Sequence, residues 1–193
     1  MEIGSIFEQL PILETKRLLL RKITLKDAED MYEYTSNPIV SQYVSWEPHR
    51  TLTDTRGYIH FVLQQYTLHR LAPWGIELKE NNKIIGTINF VAWQPRHQTA
   101  EIGYALSEHY WNKGFVTEAA QAVLSFGFHE MNTIRIEARC LAENIGSQRV
   151  MEKIGMTLEG VIRKGLFIKG KHRDIKLYSI LREEFEALHK NNK

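Results

Sequence analysis

The chain has 193 residues, of which 43% are hydrophobic and 25% charged, values typical of a folded protein with one core and no need of disulfides. Its net charge of +2 requires neither nucleic acid nor an acidic partner, and its one cysteine, Cys140, excludes an internal disulfide. No apolar run reaches the roughly 20 residues of a membrane-spanning helix. Residues 1–14 lack the basic and apolar regions of a secretory signal, so we expect a cytoplasmic protein.

The first half of the chain predicts one strand, two helices and a hairpin. Thr24 is a good helix N-cap with Asp27 in the capping-box position, and Asn37-Pro38 ends that helix. In chain order we expect an N-terminal arm (1–13), a strand (17–23), a helix (24–36), an irregular aromatic segment (40–48), a helix starting at Thr53 or Asp54 and reaching about His69, and a hairpin (74–79 and 83–91).

The second half alternates strands with helices and closes on another hairpin. We expect a strand (99–106), a long apolar helix within 110–130, a strand (134–140), a short helix (144–154) ended by Gly155, and a hairpin (157–168 and 173–181). The fold class is α+β, a mixed α/β arrangement with a central mixed sheet of six to seven strands and helices on both faces. We expect a single domain over 1–193, with its core at 14–183.

The loop before the long helix is the first candidate for a binding site. A polar, glycine-containing turn (111–114) runs directly into the helix, whose first turn leaves backbone N–H groups without partners. Those groups and the positive end of the helix dipole suit a phosphate. Gly114 permits close backbone approach and Lys113 adds positive charge. The same residues also fit an ordinary loop-to-helix junction.

Four stretches, in order, resemble the GCN5-related N-acetyltransferase (GNAT) superfamily, and most of all its bacterial branch that acetylates ribosomal-protein N-termini. They are LETKRLLLR at 13–21, EIGYALSEHYWNKGFVTEA at 101–119, AENIGSQRVMEKIGMTLEG at 142–160 and GKHRDIKLYSI at 170–180. Together they cover roughly residues 13–183. The resemblance implies the GNAT fold, acetyl-CoA as cosubstrate and N-acetyl transfer as the reaction.

The resemblance also assigns a cofactor site. The superfamily's phosphate signature falls on residues 111–116, where Trp111 and Val116 depart from the usual residue types. The pantetheine arm is expected between two splayed parallel strands, 102–106 and 136–141, with a backbone N–H of Tyr104, Ala105 or Leu106 at the thioester oxygen. Asn144 is expected to bind the pantetheine amide, and an ordinary N-cap is the alternative role for it. The expected cofactor-binding residues are Tyr104, Ala105, Leu106, Asn112, Lys113, Gly114, Phe115, Val116, Thr117, Asn144 and Ser147.

Two catalytic residues follow from the same resemblance. Many members carry a tyrosine that protonates the departing thiolate; Met151 stands there, so Ser147 is the candidate donor. Close relatives place a glutamate where this chain has Leu166, so Glu101 is the candidate base. The structural alternatives are a helix-capping serine and a surface-facing strand carboxylate.

The acceptor is an amine whose identity the sequence leaves open. An α-amine is roughly a quarter to two-fifths neutral at about pH 7.5, whereas a free lysine is neutral about one time in a thousand, so a weak base suits a protein N-terminus better. A small-molecule amine (a polyamine or an antibiotic) and a non-catalytic acyl-CoA-binding protein are the alternatives. We expect no metal, no membrane and no nucleic acid beyond the context of a ribosome. A homodimer is compatible with the sequence.

Overall fold

The computed structural model describes residues 7–8 and 10–190, so most of the arm predicted for 1–13 lies outside the described residues. The part that is described does not stand apart from the core. Phe7 and Leu10 are buried in the main hydrophobic cluster. The indole N–H of Trp74 donates to the carbonyl of Pro11 at 2.7 Å. Residues 7, 10 and 11 therefore contact the core, and the boundary between arm and core at residue 13 stays a prediction.

The molecule is built on one eight-stranded sheet in the order β1-β2-β3-β4-β5-β6-β8-β7. All neighbours are antiparallel except β5 and β6, which are parallel, so the sheet is mixed as predicted. The strand count exceeds the predicted six to seven because a strand of only two residues, β1, precedes the rest. The strands are β1 (Leu13–Glu14), β2 (Leu18–Lys22), β3 (Trp74–Leu78), β4 (Lys83–Gln94), β5 (Thr99–Leu106), β6 (Arg135–Leu141), β7 (Thr157–Ile168) and β8 (Lys171–Leu181).

Helices cover both faces of the sheet, as predicted. They are α1 (Ala28–Thr35), α2 (Pro38–Ser41), α3 (Leu52–Thr67), α4 (Phe115–His129), α5 (Ile145–Lys153) and α6 (Arg182–Lys190). On one face the Phe126 ring of α4 lies 5.7 Å from the ring of Trp74 and 6.4 Å from that of Phe90. On the other face Tyr34 of α1 lies beside Thr87 of β4. Thr87 and Phe90 are three residues apart on one strand and so point to opposite faces.

Local capping chemistry sets the helix boundaries. Thr24 and Asp27 form the predicted capping box, and Gly155, with φ of +89°, ends α5 as predicted. The predicted start of α3, at Thr53 or Asp54, is two or three residues late. Thr51 is the N-cap and Asp54 is the third residue of its capping box, where it accepts from the Thr51 N–H at 2.9 Å.

The final helix α6 was not predicted, since the predicted core stops at residue 183. Of its residues, Phe185 is buried, and its ring lies 5.2 Å from that of Phe128 on α4. Within 7–8 and 10–190, no helix has the length and apolar character needed to cross a membrane. The single-domain organisation stays a prediction.

Candidate active site

Strands β5 and β6 begin as paired neighbours and then separate. Their Cα partners run from Thr99 with Arg135 to Ile102 with Ala138, and the pairing stops there. Beyond that point residues 103–106 stay paired to β4, and residues 139–141 stay paired to β8. The facing backbone edges of 103–106 and 139–141 therefore have no partner strand in the described chain. This confirms the splayed pair that the family resemblance implied.

A β-bulge in β4 lies next to the point of separation. Phe90 pairs with Ile102 and Ala92 pairs with Glu101, so Val91 is the extra residue. Bulges increase local twist and bend the strands they join. A Cβ on Gly103 would lie 2.9 Å from Cγ1 of Val91, so a glycine is needed where the bulged side chain crosses β5. A glycine inside a strand is a sequence signal for such a bulge, and sequence reasoning missed it here.

The turn from β5 into α4 presents a row of open backbone amides. The Trp111 N–H donates to the Glu108 carbonyl at 3.1 Å, and the Glu118 N–H donates to the Gly114 carbonyl at 3.0 Å. Between them, none of the amides of residues 112–117 has an acceptor within the described chain, and no side chain caps the helix. Gly114 is the N-cap and has φ of +78°. The predicted phosphate seat therefore has unobstructed donors at the positive end of a 15-residue helix.

Side chains from two directions hold this turn in place. The indole N–H of Trp111 donates to the Leu106 carbonyl at 2.9 Å, which ties the turn to the end of β5. From the other side, Arg17 donates to the Lys113 carbonyl at 3.0 Å, and its guanidinium lies 4.3 Å from the centre of the Phe115 ring. Sequence reasoning treated Trp111 only as a departure from the signature and gave Arg17 no role.

Glu118 anchors Arg17 to the first turn of α4. Its carboxylate accepts from Thr15 Oγ1 at 2.6 Å, from the Arg17 backbone N–H at 2.8 Å and from Arg17 Nε at 2.6 Å. Burial raises the pKa of Glu118, but these donors and the charge of Arg17 outweigh it, so the net shift is downward. The loop between β1 and β2 thus supports the turn at residues 111–114, through the contacts of Arg17 with Glu118 and Lys113.

Three predicted site residues come together where β5 and β6 have separated: Tyr104, Asn144 and Ser147. Asn144 Oδ1 accepts from the Ser147 N–H at 3.0 Å, so the N-cap role considered for Asn144 is real. Its Nδ2 has no acceptor within the described chain and is free to donate. The Tyr104 hydroxyl lies 2.8 Å from Ser147 Oγ and 3.2 Å from the Ser147 carbonyl oxygen. Sequence reasoning considered only the backbone of Tyr104.

Cys140 lies on the β6 side of the same opening. Its thiol is buried and is hydrogen-bonded to the Ser147 side chain. Burial raises the pKa of Cys140 to about 11, against the smaller lowering effects of Lys176 and Ser147. A thiol so rarely ionised is a poor nucleophile, which agrees with direct transfer and disfavours an acyl-cysteine route.

Glu101 lies on the same strand as Tyr104 but on its other face, because the two residues are three apart. Burial raises the pKa of Glu101; Arg139, whose Nε lies 3.6 Å from its carboxylate, lowers it, and Glu137 raises it again. Glu137 is its Cα partner on β6. Glu101 is therefore partly buried and beside the splay, but it does not meet Ser147 directly.

The sequence model of the acetyltransferase (GNAT) domain matches residues 17–157. The chain belongs to the GNAT acetyltransferase family. The uncharacterised N-acetyltransferase YoaA of Bacillus subtilis (strain 168) is 37% identical over 172 residues, 89% of this chain and 97% of YoaA. The crystal structure of a GNAT-family acetyltransferase from Bacillus anthracis is 38% identical with a TM-score of 0.80, covering 90% of this chain and all of that one. A structure of the microcin C7 self-immunity acetyltransferase MccE with acetyl-CoA and AMP is 25% identical with a TM-score of 0.77, covering 86% of this chain and 93% of that one.

The protein is a GNAT N-acetyltransferase that uses acetyl-CoA. Its geometry fits that cosubstrate, since the open amides at 112–117 suit a diphosphate and the unpaired edges of the splay suit an amide-bearing arm. Of the four residues that depart from the family pattern, Trp111 holds the turn to β5, and the other three block neither feature. Val116 packs its side chain into the core, Met151 is fully buried, and Leu166 lies on β7 opposite Arg173.

Proposed function

We propose that this acetyltransferase modifies the N-terminal α-amine of a protein, by direct attack in a ternary complex. A relative named ribosomal-protein-serine acetyltransferase, from Escherichia coli (strain K12), supports this choice of acceptor. It is 30% identical over 100 residues, which are 52% of this chain and 56% of that protein. Such an acceptor agrees with the cytoplasmic location proposed from the sequence.

The observation that carries the proposal is the environment of Glu101. A carboxylate must take a proton from the acceptor ammonium, and its ordinary pKa is about 3.5 units below that of an α-amine and about 6 below that of a lysine. Burial raises the pKa of Glu101 and so narrows the gap, while Arg139 limits the rise. Because the remaining pKa difference is smaller for an α-amine than for lysine, Glu101 takes a proton more readily from an α-amine.

Each further part of the site has a role in the proposal. The amides of 112–117 hold the diphosphate, and the backbone edges of 103–106 and 139–141 hold the pantetheine arm. Asn144 Nδ2 donates to a pantetheine carbonyl. A backbone N–H from Tyr104, Ala105 or Leu106 donates to the thioester oxygen, which stabilises charge that develops there. The Ser147 hydroxyl donates a hydrogen bond to the departing sulfur and keeps its own hydrogen.

A small-molecule amine is the second candidate. Glu101 and Glu137 are register partners on the sheet face away from Tyr104, and Arg139 lies 3.6 Å and 3.5 Å from their carboxylates, so that face offers groups of both charges to a small polar acceptor. MccE, whose structure holds AMP beside acetyl-CoA, is a GNAT relative that accommodates a small molecule.

Thiol release from acetyl-CoA distinguishes the two candidates. We expect the highest kcat/KM with peptides that have a free N-terminus, and background rates with the same peptides after N-terminal blocking, even if they contain lysine. A higher kcat/KM for polyamines or aminated antibiotics than for every free peptide would favour the second candidate. Glu101→Gln should lower kcat most at pH values below the pKa of the acceptor amine, because there the proton must be removed.

A further inference from the structure

Ser147 is held at three of its atoms, which is unusual for a serine in the first turn of a helix. Its N–H is bound by Asn144 Oδ1 at 3.0 Å. Its carbonyl oxygen and its Oγ both contact the Tyr104 hydroxyl, at 3.2 Å and 2.8 Å. One phenol thus fixes both the backbone and the side-chain rotamer of Ser147, from a strand 43 residues away in the chain.

The direction of these hydrogen bonds follows from the groups involved. A carbonyl oxygen only accepts, so the Tyr104 hydrogen points either to that oxygen or to Ser147 Oγ. The Cys140 thiol also contacts the Ser147 side chain and, being protonated, can donate its S–H to Oγ. When Tyr104 and Cys140 both donate to Oγ, its two acceptor positions are filled and the hydrogen of Ser147 is available to a third group. Burial raises the pKa of Tyr104, which keeps the phenol neutral and able to donate.

We propose that Tyr104 is a positioning residue that donates to Ser147 Oγ and so directs the Ser147 hydroxyl hydrogen at the departing thiolate. The proposal rests on the role of Ser147 in the proposed function and adds the group that orients it. The Tyr104 phenol acts through Ser147 and touches no reacting atom.

The transfer balances without any change in either hydroxyl. The acceptor nitrogen forms a bond to the acetyl carbon, the carbon–sulfur bond breaks, and its electron pair goes to sulfur. The nitrogen loses one proton as the amide forms, and the sulfur gains one as the thiol forms. Ser147 donates a hydrogen bond that stabilises the negative sulfur until that proton arrives, the Tyr104 phenol donates to Ser147 Oγ, and both hydroxyls end the cycle neutral.

A purely structural role for Tyr104 predicts different results. A phenol that only joins β5 to α5 would affect the free energy of unfolding and the binding of acetyl-CoA, whatever residue stands at 147. A phenol that orients Ser147 would affect kcat only while the serine hydroxyl is present. The double-mutant cycle of Tyr104→Phe and Ser147→Ala separates the two roles.

The first experiment measures kcat and the KM for acetyl-CoA in the wild type, both single variants and the double variant, with the best amine of the panel. We expect Tyr104→Phe to lower kcat roughly tenfold, the upper end for one neutral hydrogen bond, and to leave KM nearly unchanged. In the Ser147→Ala background the same change should alter kcat less than about twofold. Equal effects in both backgrounds, or an unchanged kcat in Tyr104→Phe, would overturn the proposal.

The matched control is Tyr178→Phe. Tyr178 is a buried tyrosine of the same sheet whose hydroxyl donates to Glu152 at 3.3 Å, and we expect this substitution to leave kcat unchanged. Melting temperatures with and without acetyl-CoA show that each variant folds and binds. An unchanged kcat in Ser147→Ala would overturn the role of Ser147 and the proposal with it. Turnover of a small amine but no peptide would overturn only the proposed acceptor.

A second measurement needs no acceptor. The pKa of the bound coenzyme A thiol can be followed by the ultraviolet absorbance of its thiolate, with the desulfo-coenzyme A complex subtracted to remove the Cys140 and tyrosine signals. Hydrogen bonds to the thiolate lower that pKa. We expect it to rise by a similar amount in Tyr104→Phe and in Ser147→Ala, with no further rise in the double variant. An unchanged thiol pKa in Tyr104→Phe would refute the proposed orientation.

Discussion

Replacing Glu118 by glutamine tests how far the cofactor turn depends on the loop between β1 and β2. The glutamine Oε1 can still accept from Thr15 and from the Arg17 backbone. In the wild type, Arg17 Nε donates to a Glu118 carboxylate oxygen at 2.6 Å. In the variant the glutamine Nε2 takes the place of that oxygen, and two N–H donors then face each other. Arg17 should then turn away and release the Lys113 carbonyl, which it holds at 3.0 Å.

The size of the effect follows from that one lost bond. A hydrogen bond to a charged group contributes about 1.5–3 kcal/mol, but the Arg17 side chain is 40% exposed and the screening of water reduces this to about 1–2 kcal/mol. For a chain of this length the melting temperature should fall by about 3–6 °C. The KM for acetyl-CoA should rise several-fold, while the KM for the acceptor should not change.

The pH dependence provides a sharper test. The folded pKa of Glu118 lies below its ordinary value of 4.5, so the stabilisation is complete above pH 4.5 and is lost as pH falls through the folded pKa. The difference in melting temperature between wild type and Glu118→Gln should therefore shrink in that acidic range. The control is Gln121→Ala, because Gln121 is exposed on the same helix face as Glu118. It should leave the melting temperature and the KM for acetyl-CoA unchanged. A difference that persists well below pH 4.5, or an unchanged KM for acetyl-CoA, would refute the reasoning.

Three further predictions concern the core, the thiol and the hairpin. Gly127→Ala would place a Cβ 2.7 Å from Cδ1 of Ile136 on β6, inside the core. This overpacking should lower the free energy of unfolding, measured by chemical denaturation, by about 1–3 kcal/mol, and an unchanged value would contradict the packing. Cys140, with a pKa of about 11, should react with iodoacetamide at about pH 7.5 roughly 300-fold more slowly than a free thiol, and a rate like that of glutathione would contradict its burial. Lys169→Ala removes a 2.7 Å bond from the β7–β8 turn to a carbonyl at the end of α2, so the melting temperature should fall by about 2–4 °C; an unchanged melting temperature would contradict a stabilising role for this contact.

Local signals in the sequence were sufficient for most elements. The helix α4 combines a left-handed glycine with a long apolar run, and both are visible within about 20 residues of sequence. The start of α3 was placed late because Thr51 and Asp54 are both good caps, and only their reciprocal hydrogen bonds show which is first. The two-residue strand β1 is too short to show any alternation, so it was not predicted.

The site itself depends on contacts that no local pattern contains. Asn144 and Ser147 were predicted from a motif four residues long, and their mutual bond is local. The bond from Tyr104 to Ser147 crosses 43 residues, and the one from Arg17 to Glu118 crosses 101. The separation of β5 and β6 requires a bulge in one neighbour and a register with another. Such features become visible only after the sheet order is known.

The position of β8 has a consequence for how the protein matures. β8 is the last strand of the chain, yet it lies between β6 and β7 and pairs with β6 over residues 135–141, the full length of that strand. During synthesis β6 has only β5 beside it until residues 171–181 leave the ribosome. Before then the bulge in β4 alone favours the separation of the two parallel strands, and the pairing that holds residues 139–141 away from β5 is missing. The nascent enzyme should therefore acquire its diphosphate seat first and its reaction centre only when the last strand has docked.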